Sequence, residues 1–368
     1  MRILLDYRPA LRQRTGVGEY VHGLASALPA LLSPGDSLTL FSSSWKDRLT
    51  GQPVPGAAIR DSRIPVRLLN FAWHRIGWPP VEILAGGVDI AHSMHPLLMP
   101  SRGARVVTIH DLYFLTRPEH ATAEIRRDYP RLAREHAHRA DAVVVNSEYT
   151  KAQVIEHLGV PATRITVCPP GVPEWERRPE PGTPGPILFI GTIAPRKNVP
   201  GLLRAFTQLS AEVRDTPELV LAGRITPEGL HGTGVDVAAV IDRIRMAGYV
   251  DADAKRALYR QASMLVLPSF DEGFGIPALE AMAMGVPVIA SNRGALPEVL
   301  GDAGILVEPD DPDQIASAMH QMLTDEAVAG ASASKGVVRS RSFDWQHTAR
   351  GVYAAYQLAI EHVHAHRY

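Results

Sequence analysis

Cysteine is nearly absent from this chain, and so are long apolar runs. Cys168 is the only cysteine among 368 residues, so no disulfide can form within the chain, which is compatible with a reducing compartment. Its neighbours, Val167 and Pro169, indicate a buried structural thiol. No stretch approaches the roughly 18 consecutive apolar residues that a membrane-spanning helix needs. Any contact with a membrane is therefore expected to be peripheral.

The chain also has no excess of positive or negative charge. The 38 lysines and arginines are balanced by 39 aspartates and glutamates, for a net charge of -1 at pH 7, so no global field favours nucleic acid as a partner. The first residues, from Met1 to Arg8, lack the charged and apolar regions of a signal peptide and predict a β-strand. We expect a cytoplasmic protein, and contact with the inner face of the membrane is left open.

The composition is that of a globular enzyme with many short loops, with 45% hydrophobic residues, 30 glycines and 30 prolines. The length fits about two domains of roughly 100–200 residues each. Apolar runs of strand length recur, with helical stretches between several of them: Ile3–Leu5, Ser37–Phe41, Val88–Ala91, Arg105–Ile109, Ala142–Val145, Ile165–Val167, Ile187–Ile190, Glu218–Ala222, Met264–Leu267, Val286–Ala290 and Gly304–Val307. This alternation predicts an α/β fold with two doubly wound, Rossmann-like halves, because short continuous apolar strands between helices are typical of parallel sheets covered on both faces.

A proline-rich segment divides the two halves. Residues 179–186 have no apolar period, and their prolines limit helix continuation, so the segment is predicted to be a linker. The predicted organisation is an N-terminal domain over 1–178, a C-terminal domain over 187–342 and a C-terminal helix over 343–368, whose return to the N-terminal domain is left open. A hinge at the linker leaves a cleft between the domains, lined by the loops that follow the strands.

Two carboxylates flank a glycine turn in the stretch Ser269–Gly285. Glu272 lies in the turn and Glu280 lies about one turn inside the helix that follows, while Gly273 and Gly275 permit a tight backbone path. The first N–H groups of that helix favour a diphosphate, and ionised carboxylates accept hydrogen bonds from the hydroxyls of ribose and hexose. The pattern indicates a sugar-nucleotide site. The alternative is a solvated turn residue and a charge on the helix surface.

A second loop carries two adjacent cations. Gly191–Asn198 follows the strand Ile187–Ile190 and precedes a helical stretch. Arg196 can bind phosphate through its forked guanidinium and Lys197 supplies a compact charge, a combination that suits a departing diphosphate. The alternative is a solvated pair on the surface.

The first half offers a glycine loop and a histidine. Gly16 and Gly18 follow the first strand and are predicted to form a loop that lets backbone approach phosphate or acceptor, or else a simple turn. His110 and Asp111 end the strand Arg105–Ile109, where a histidine can bond a sugar hydroxyl or meet charge that develops at the anomeric carbon. The alternative for His110 is a core histidine with satisfied hydrogen bonds.

Acidic clusters are interpreted as helix starts and not as metal sites. Asp251 and Asp253 spell an Asp-x-Asp pattern that can bind a metal, but they precede a helical stretch. Asp310, Asp311 and Asp313 lie among prolines and predict turns and caps. No histidine–cysteine cluster indicates zinc. We therefore predict no metal and no cofactor beyond the donor substrate.

Together these motifs resemble retaining glycosyltransferase family 4, which has the two-domain GT-B fold, and most closely its mannosyltransferase-like branch. The resemblance spans nearly the whole chain and rests on Gly16–Gly18, His110–Leu112, Asn146–Thr150, Gly191–Asn198 and the pair Glu272 and Glu280.

The resemblance implies roles for the catalytic residues His110, Arg196, Lys197 and Glu272. Glu272 would contact the donor hexose, and Arg196 with Lys197 would neutralise the leaving diphosphate. His110 would approach the donor sugar from the acceptor domain, and Glu280 would hold the nucleotide ribose. Further contacts with the donor are implied for three places in the chain. They are the glycine loops (Gly16, Gly18 and Gly191), the segment beside the base (Tyr249 and Val250) and the turn before the helix (Gly273, Phe274 and Gly275).

The implied activity is transfer of a hexose, mannose favoured, to a hydroxyl of a glycan or lipid-linked acceptor in polysaccharide or glycoconjugate synthesis. No carboxylate stands out as a covalent nucleophile, which favours a front-face substitution that retains configuration, and the resemblance implies that the reaction needs no metal. GDP-mannose is the favoured donor, followed by UDP- or dTDP-sugars. The alternatives are a nucleotide-sugar epimerase or phosphorylase of GT-B fold, or a non-catalytic protein that binds nucleotide sugars.

The acceptor domain also contains a basic and aromatic stretch, composed of Arg60, Arg63, Arg67, Trp73, His74, Arg75 and Trp78. Such a stretch suits an anionic lipid-linked acceptor or a membrane surface. The alternative is a set of solvated arginines with tryptophans packed underneath.

Overall fold

The chain divides into two compact units. The computed structural model describes residues 1–11, 14, 16–45, 47–120, 123–178, 185–226, 229 and 238–367. Unit 1 comprises Met1–Gly171 with Asp344–Tyr368, and unit 2 comprises Val172–Phe343. The predicted linker, 179–186, lies outside the described residues except for 185 and 186.

Unit 1 is built on a parallel sheet of seven strands in the order β3-β2-β1-β4-β5-β6-β7. The central strands are buried on both faces, so their sequences are continuously apolar and the chain must cross over through helices between neighbours. The strands are β1 (Arg2–Asp6), β2 (Ser37–Ser42), β3 (Ala58–Asp61), β4 (Ile90–Ser93), β5 (Ala104–Ile109), β6 (Ala142–Val145) and β7 (Ile165–Val167).

Helices cover both faces of this sheet. The helices before the second unit are α1 (Gly16–Ala27), α2 (Val66–Phe71), α3 (Val81–Ala85), α4 (Tyr113–Thr116), α5 (Ala123–Arg139) and α6 (Glu148–Gln153). α1 turns Tyr20, Val21 and Leu24 into the core, which follows from their helical spacing.

The predicted loop at Gly16 and Gly18 is wrong. Both glycines lie in the first turn of α1, which begins at Gly16. Gly18 is buried there, and a Cβ on it would come within 2.8 Å of the carbonyl oxygen of Pro9. Gly18 therefore serves the close packing of the helix start against the preceding backbone.

Unit 2 repeats the architecture with six parallel strands in the order β10-β9-β8-β11-β12-β13. The strands are β8 (Ile187–Ile190), β9 (Leu219–Ala222), β10 (Ile244–Gly248), β11 (Met264–Leu267), β12 (Val288–Ser291) and β13 (Ile305–Val307). The helices are α7 (Val199–Glu212), α8 (Ala252–Gln261), α9 (Ile276–Met284), α10 (Leu296–Leu300), α11 (Pro312–Thr324) and α12 (Glu326–Ser340). The predicted pair of doubly wound, Rossmann-like sheets is thereby confirmed.

The C-terminal helix, α13 (Trp345–Arg367), belongs to unit 1 and packs against its sheet. Tyr356 of this helix is fully buried, and its hydroxyl lies 2.8 Å from Nδ1 of His92 on β4. The other ring nitrogen of His92 lies 2.7 Å from Oγ1 of Thr108 on β5. Burial lowers the pKa of His92 to about 3, so this connection between helix and sheet is made by a neutral imidazole.

Candidate active site

Glu272 lies in the loop between β11 and α9, at the carboxyl edge of the unit 2 sheet. The loop is held in place because the N–H of Ala295 donates to the carbonyl oxygen of Glu272 at 2.8 Å. Gly275 then takes a left-handed conformation, with φ of 99°, and is the N-cap of α9, which agrees with the tight glycine turn predicted before this helix. The side chain of Glu272 is 7% exposed.

Two cations from another loop meet this carboxylate. Arg196 and Lys197 form a 3-10 turn after β8, and β8 is hydrogen-bonded to β11 in the sheet. Lys197 Nζ donates to Oε1 of Glu272, and Nη1 of Arg196 lies 3.3 Å from Oε2. Ser269 donates to Oε1 at 3.0 Å. The structure thus joins three of the predicted catalytic residues in one cluster, and Ser269 is a fourth member that the sequence analysis did not select.

The cluster keeps Glu272 ionised. Burial alone would raise the pKa of Glu272, but the charges of Lys197 and Arg196 outweigh it, together with hydrogen bonds from Lys197 and Ser269. The pKa therefore lies below its ordinary value. In such a site, the two cations can bind phosphate oxygens, and the carboxylate can accept hydrogen bonds from sugar hydroxyls.

Glu280 lies in α9 and is also buried, with 4% of the residue exposed. Its partners come from one face of α8: Lys255 Nζ donates to Oε1, and the hydroxyl of Tyr259 donates to Oε2 at 2.9 Å. Lys255 also lies over the ring of Trp175, 5.5 Å from its centroid. Sequence reasoning missed these partners, although Lys255 and Tyr259 are four residues apart and so share a helix face.

The remaining predicted donor contacts of unit 2 lie at the carboxyl ends of its strands. Gly191 follows β8, and Tyr249 and Val250 follow the edge strand β10. The guanidinium of Arg224 lies 5.7 Å from the centroid of the Tyr249 ring. Phe274 is 4% exposed and packs edge-to-face on Phe343 at 5.6 Å, so its side chain belongs to the core. Gly273 lies in the loop before α9.

The acidic residues flagged as helix starts behave as predicted. Asp251 caps α8 by accepting a hydrogen bond from the N–H of Ala254 at 2.8 Å, and Asp311 caps α11 by accepting from Gln314 at 3.0 Å. Across the described ranges, no group of three or more histidine, cysteine, aspartate or glutamate side chains could hold a metal ion.

His110 lies directly after β5 at the carboxyl edge of the unit 1 sheet. Its ring packs edge-to-face on Tyr20 at 5.1 Å. Burial lowers the pKa of His110 to about 4, although the charge of Asp111 opposes this shift. Nε2 is buried and has no hydrogen-bond partner among the residues that the structure describes. The histidine is therefore neutral near pH 7.

A second polar cluster at the same edge was missed by sequence reasoning. Asp6, which ends β1, is fully buried and forms an ion pair with Arg8 at 2.7 Å. Arg8 also donates to Oδ1 of Asn70 at 2.9 Å, and His95 lies 3.4 Å from Asp6. Burial would raise the pKa of Asp6, but Arg8 and His95 outweigh it and hold the pKa well below its ordinary range. In the sequence, Asp6 and Arg8 follow the first predicted strand and His95 follows the predicted strand Val88–Ala91, but only the pairing of β1 with β4 in the structure brings them together.

The basic and aromatic stretch contains both an exposed and a packed tryptophan. Trp73 is 2% exposed and packed underneath, whereas Trp78 is 61% exposed. In the part of the chain that the structure covers, no helix is both long enough and apolar enough to cross a membrane.

Two Rossmann-like units, with a carboxylate–cation cluster at the carboxyl edge of the second sheet, are features of the GT-B class of glycosyltransferase. The comparisons with known proteins agree. Residues 14–175 match the family model described as Glycosyltransferase Family 4, and residues 185–325 match the model described as Glycosyl transferases group 1. The chain belongs to glycosyltransferase family 4, and the predicted family, fold and enzyme class are confirmed.

Relatives and solved structures are consistent with this assignment. The chain is 32% identical over 284 residues to O-antigen chain mannosyltransferase B of Escherichia coli, covering 71% of this chain and 72% of the relative. It is 31% identical over 235 residues to the serotype-specific mannosyltransferase WbdA of Escherichia coli, which spans 57% of this chain but 28% of WbdA. Sucrose-phosphate synthase of Thermosynechococcus elongatus has the same fold, with a TM-score of 0.77, 21% identity, and coverage of 97% of this chain and 98% of the synthase.

Proposed function

We propose that this glycosyltransferase moves mannose from GDP-mannose to a hydroxyl of a glycan or lipid-linked acceptor, retains the anomeric configuration and needs no metal. The observation that carries the proposal is the buried Glu272, held between Lys197 and Arg196 at the carboxyl edge of the unit 2 sheet. The lean toward mannose rests on the mannosyltransferase relatives and on the resemblance in the motifs.

The cluster suggests how the donor would be held. The diphosphate would bind Arg196 and Lys197, because both offer charge-assisted donors to phosphate oxygens. Glu272 would then accept hydrogen bonds from hexose hydroxyls, as an ionised carboxylate can do nothing but accept. Glu280 would accept from the ribose hydroxyls, and Lys255 with Tyr259 would orient it. The base contacts predicted for Tyr249 and Val250 and the sugar contact predicted for His110 stay predictions.

The reaction would proceed without a covalent enzyme intermediate. The bond between the anomeric carbon and the diphosphate oxygen breaks, and its electron pair goes to the diphosphate, whose charge Arg196 and Lys197 stabilise. The acceptor oxygen forms the new bond on the face that the diphosphate leaves. The acceptor proton passes to the leaving diphosphate oxygen. Configuration is retained because departure and attack share one face.

The test uses purified protein, GDP-mannose and an alkyl α-mannoside as a probe acceptor, with GDP release and the anomeric configuration of the product as readouts. We expect an α-linked product with or without EDTA. Glu272→Ala and Lys197→Ala should each lower turnover by about 10²–10³-fold, by analogy with other preorganised electrostatic contacts. The matched control is Lys335→Ala, which removes an exposed lysine paired with Asp302 and should leave turnover unchanged.

Two of the alternatives have their own outcomes in this assay, and other results would contradict the proposal itself. A β-linked product would contradict retention, and near-normal turnover by either purified variant would contradict the site assignment. Conversion of the nucleotide sugar without any acceptor would support an epimerase. Binding of the nucleotide with no turnover of GDP-, UDP- or dTDP-sugars would support a non-catalytic binding protein.

A further inference from the structure

Asn146 brings a buried polar atom without a partner to the carboxyl edge of the unit 1 sheet. The residue directly follows β6 and is 6% exposed. Its Oδ1 is buried and accepts no hydrogen bond from any residue that the structure describes. A buried polar group that stays unpaired destabilises a fold, so native proteins seldom keep one without a reason.

The strand register places Asn146 beside His110. β5 and β6 are parallel neighbours in which Ile109 pairs with Val145, so His110 and Asn146 take the next position at the ends of the two strands. Neighbouring strands lie about 4.8 Å apart. Nε2 of His110 is likewise buried and has no partner among the residues that the structure describes. Two unpaired polar atoms thus belong to neighbouring strand ends.

Both side chains belong to the same face of the sheet. On β6, Val145 packs into one core cluster and Val144 into another. Side chains alternate along a strand, so Asn146 continues on the face of Val144. His110 lies on that face too, because its ring packs edge-to-face on Tyr20, which belongs to the same core cluster as Val144.

Both atoms are hydrogen-bond acceptors. The amide Oδ1 of Asn146 can only accept. The hydrogen bond between the His110 ring and the backbone of Met94 raises the pKa of His110 against the larger effect of burial, which identifies the ring as the donor. Because Nε2 is unpaired, the donating nitrogen is Nδ1, and Nε2 of the neutral ring has a lone pair. A ligand that satisfies both atoms must therefore supply two donors.

The hydroxyl groups around these atoms donate elsewhere. The hydroxyl of Tyr20 donates to the carbonyl oxygen of Cys168 at 3.0 Å. The hydroxyl of Ser147 donates to Oγ1 of Thr150 at 3.0 Å, and that of Thr150 to the carbonyl oxygen of His110 at 3.4 Å. Ser147 also caps α6 by accepting from the N–H of Thr150 at 3.0 Å. These bonds fix the loop after β6 without using the amide oxygen.

We propose that Asn146 is a sugar-binding residue that selects a vicinal diol, accepting a hydrogen bond from one hydroxyl while His110 accepts from the adjacent hydroxyl of the same sugar. Two acceptors on neighbouring strand ends suit two adjacent hydroxyl donors. A sugar that lacks either hydroxyl would leave a buried acceptor unpaired and would be rejected. This role rests on the proposed function. Both substrates of that reaction contain a sugar, so the experiment measures the two separately.

The test compares the parent protein with Asn146→Leu, which has a similar volume and no polar atom. Calorimetry measures the binding of GDP, of GDP-mannose, and of methyl α-mannoside with and without GDP. We expect Asn146→Leu to weaken the binding of one of the two sugars by about tenfold through the lost hydrogen bond, while GDP binds as before. Deoxy analogues of that sugar then locate the contact. One of them should bind about tenfold more weakly than the full sugar to the parent protein, and equally well to the variant.

The midpoint of thermal unfolding separates this role from a structural one. Leucine removes an unpaired buried oxygen, so Asn146→Leu should unfold at the same temperature as the parent protein or a higher one. Asn146→Ala, which avoids any crowding by leucine, should lose sugar binding to the same extent. The matched control is Ser210→Ala on α7 of unit 2, because Oγ of Ser210 is also buried without a partner among the described residues. This control should bind both sugars like the parent protein.

Three results would overturn the proposal. Both variants bind both sugars as the parent protein does, which would assign the two donors to a buried water molecule; or every deoxy analogue loses the same factor in parent and variant; or both variants unfold at markedly lower temperature, which would make Asn146 a structural residue. Any of these with GDP binding intact removes the role of Asn146 alone. A parent protein that binds no nucleotide contradicts the proposed function instead, and the unfolding midpoints and methyl α-mannoside binding, which need no nucleotide, still decide the role of Asn146.

Discussion

The buried ion pair between Lys255 and Glu280 offers the sharpest stability prediction. The side chains of Lys255 and Glu280 are 12% and 5% exposed, so neither charge is well solvated. Lys255→Met keeps the length and apolar stem of the side chain and removes its charge. The variant leaves a buried carboxylate with Tyr259 as a remaining partner, at 2.9 Å.

The expected cost is large because a buried charge loses its partner. Removing one partner of a buried ion pair lowers the free energy of unfolding by about 3–5 kcal/mol. We expect a loss of about 3 kcal/mol for Lys255→Met, because Tyr259 still donates to Glu280. At about 2–4 °C per kcal/mol for a unit of this size, the midpoint of thermal unfolding should fall by about 6–12 °C. Lys335→Met is the control, because its lysine is 54% exposed beside an aspartate that is 82% exposed. The control should leave stability nearly unchanged, because exposed ion pairs contribute little.

A double-mutant cycle completes the test. In Lys255→Met with Glu280→Gln, both charges are removed, so we expect the double variant to recover much of the stability that Lys255→Met loses. Calorimetry or denaturant unfolding of the four proteins measures the coupling. A Lys255→Met variant as stable as Lys335→Met, or additive effects in the cycle, would show that Lys255 and Glu280 are not coupled in the folded protein.

Three further predictions concern stability. His92 stays neutral in the folded protein because its pKa is about 3, while a histidine in the unfolded chain titrates near pH 6.5, so its contribution to the free energy of unfolding is complete above pH 6.5 and is lost as the pH falls toward 3. Between pH 8 and pH 5, the free energy of unfolding in urea should therefore fall by about 2 kcal/mol more for the parent protein than for His92→Gln. Parallel pH curves for the two proteins would contradict this. Gly275→Ala forces a Cβ to within 2.6 Å of Leu296 at φ of 99° and should cost about 1–3 kcal/mol, whereas Gly330→Ala, with nothing within 4 Å, should not destabilise. Asp251→Ala should lower the free energy of unfolding by about 0.5–2 kcal/mol through the lost cap, and an unchanged urea midpoint would count against the cap.

Much of the fold could be predicted because buried parallel strands are continuously apolar. Ala142–Val145 and Met264–Leu267 were predicted with the bounds that the structure has. The edge strands β3 and β10 were missed, since all of their residues are partly or fully exposed and no apolar run marks them. β4 begins two residues later than predicted, at Ile90, because the apolar Val88 precedes the strand and is buried outside it.

The candidate site could be predicted where its residues share one edge of a sheet. Lys197 and Glu272 are far apart in the chain, but both follow strands, and β8 pairs with β11. What could not be predicted was which side chains satisfy each buried charge. The pairing of Glu280 with Lys255 depends on how α8 packs on α9, and no periodicity in the sequence encodes that packing.

We propose that unit 2 binds a nucleotide sugar through Glu280 and the Arg196–Lys197 loop. The most direct measurement is the thermal shift of the purified protein with GDP, UDP, dTDP and ADP, each with and without EDTA, because a ligand that binds only the folded state raises apparent stability. We predict that GDP raises the unfolding midpoint most, equally with EDTA present, and that Glu280→Gln removes much of this rise. An unfolding midpoint that none of the four nucleotides raises would contradict nucleotide binding by unit 2.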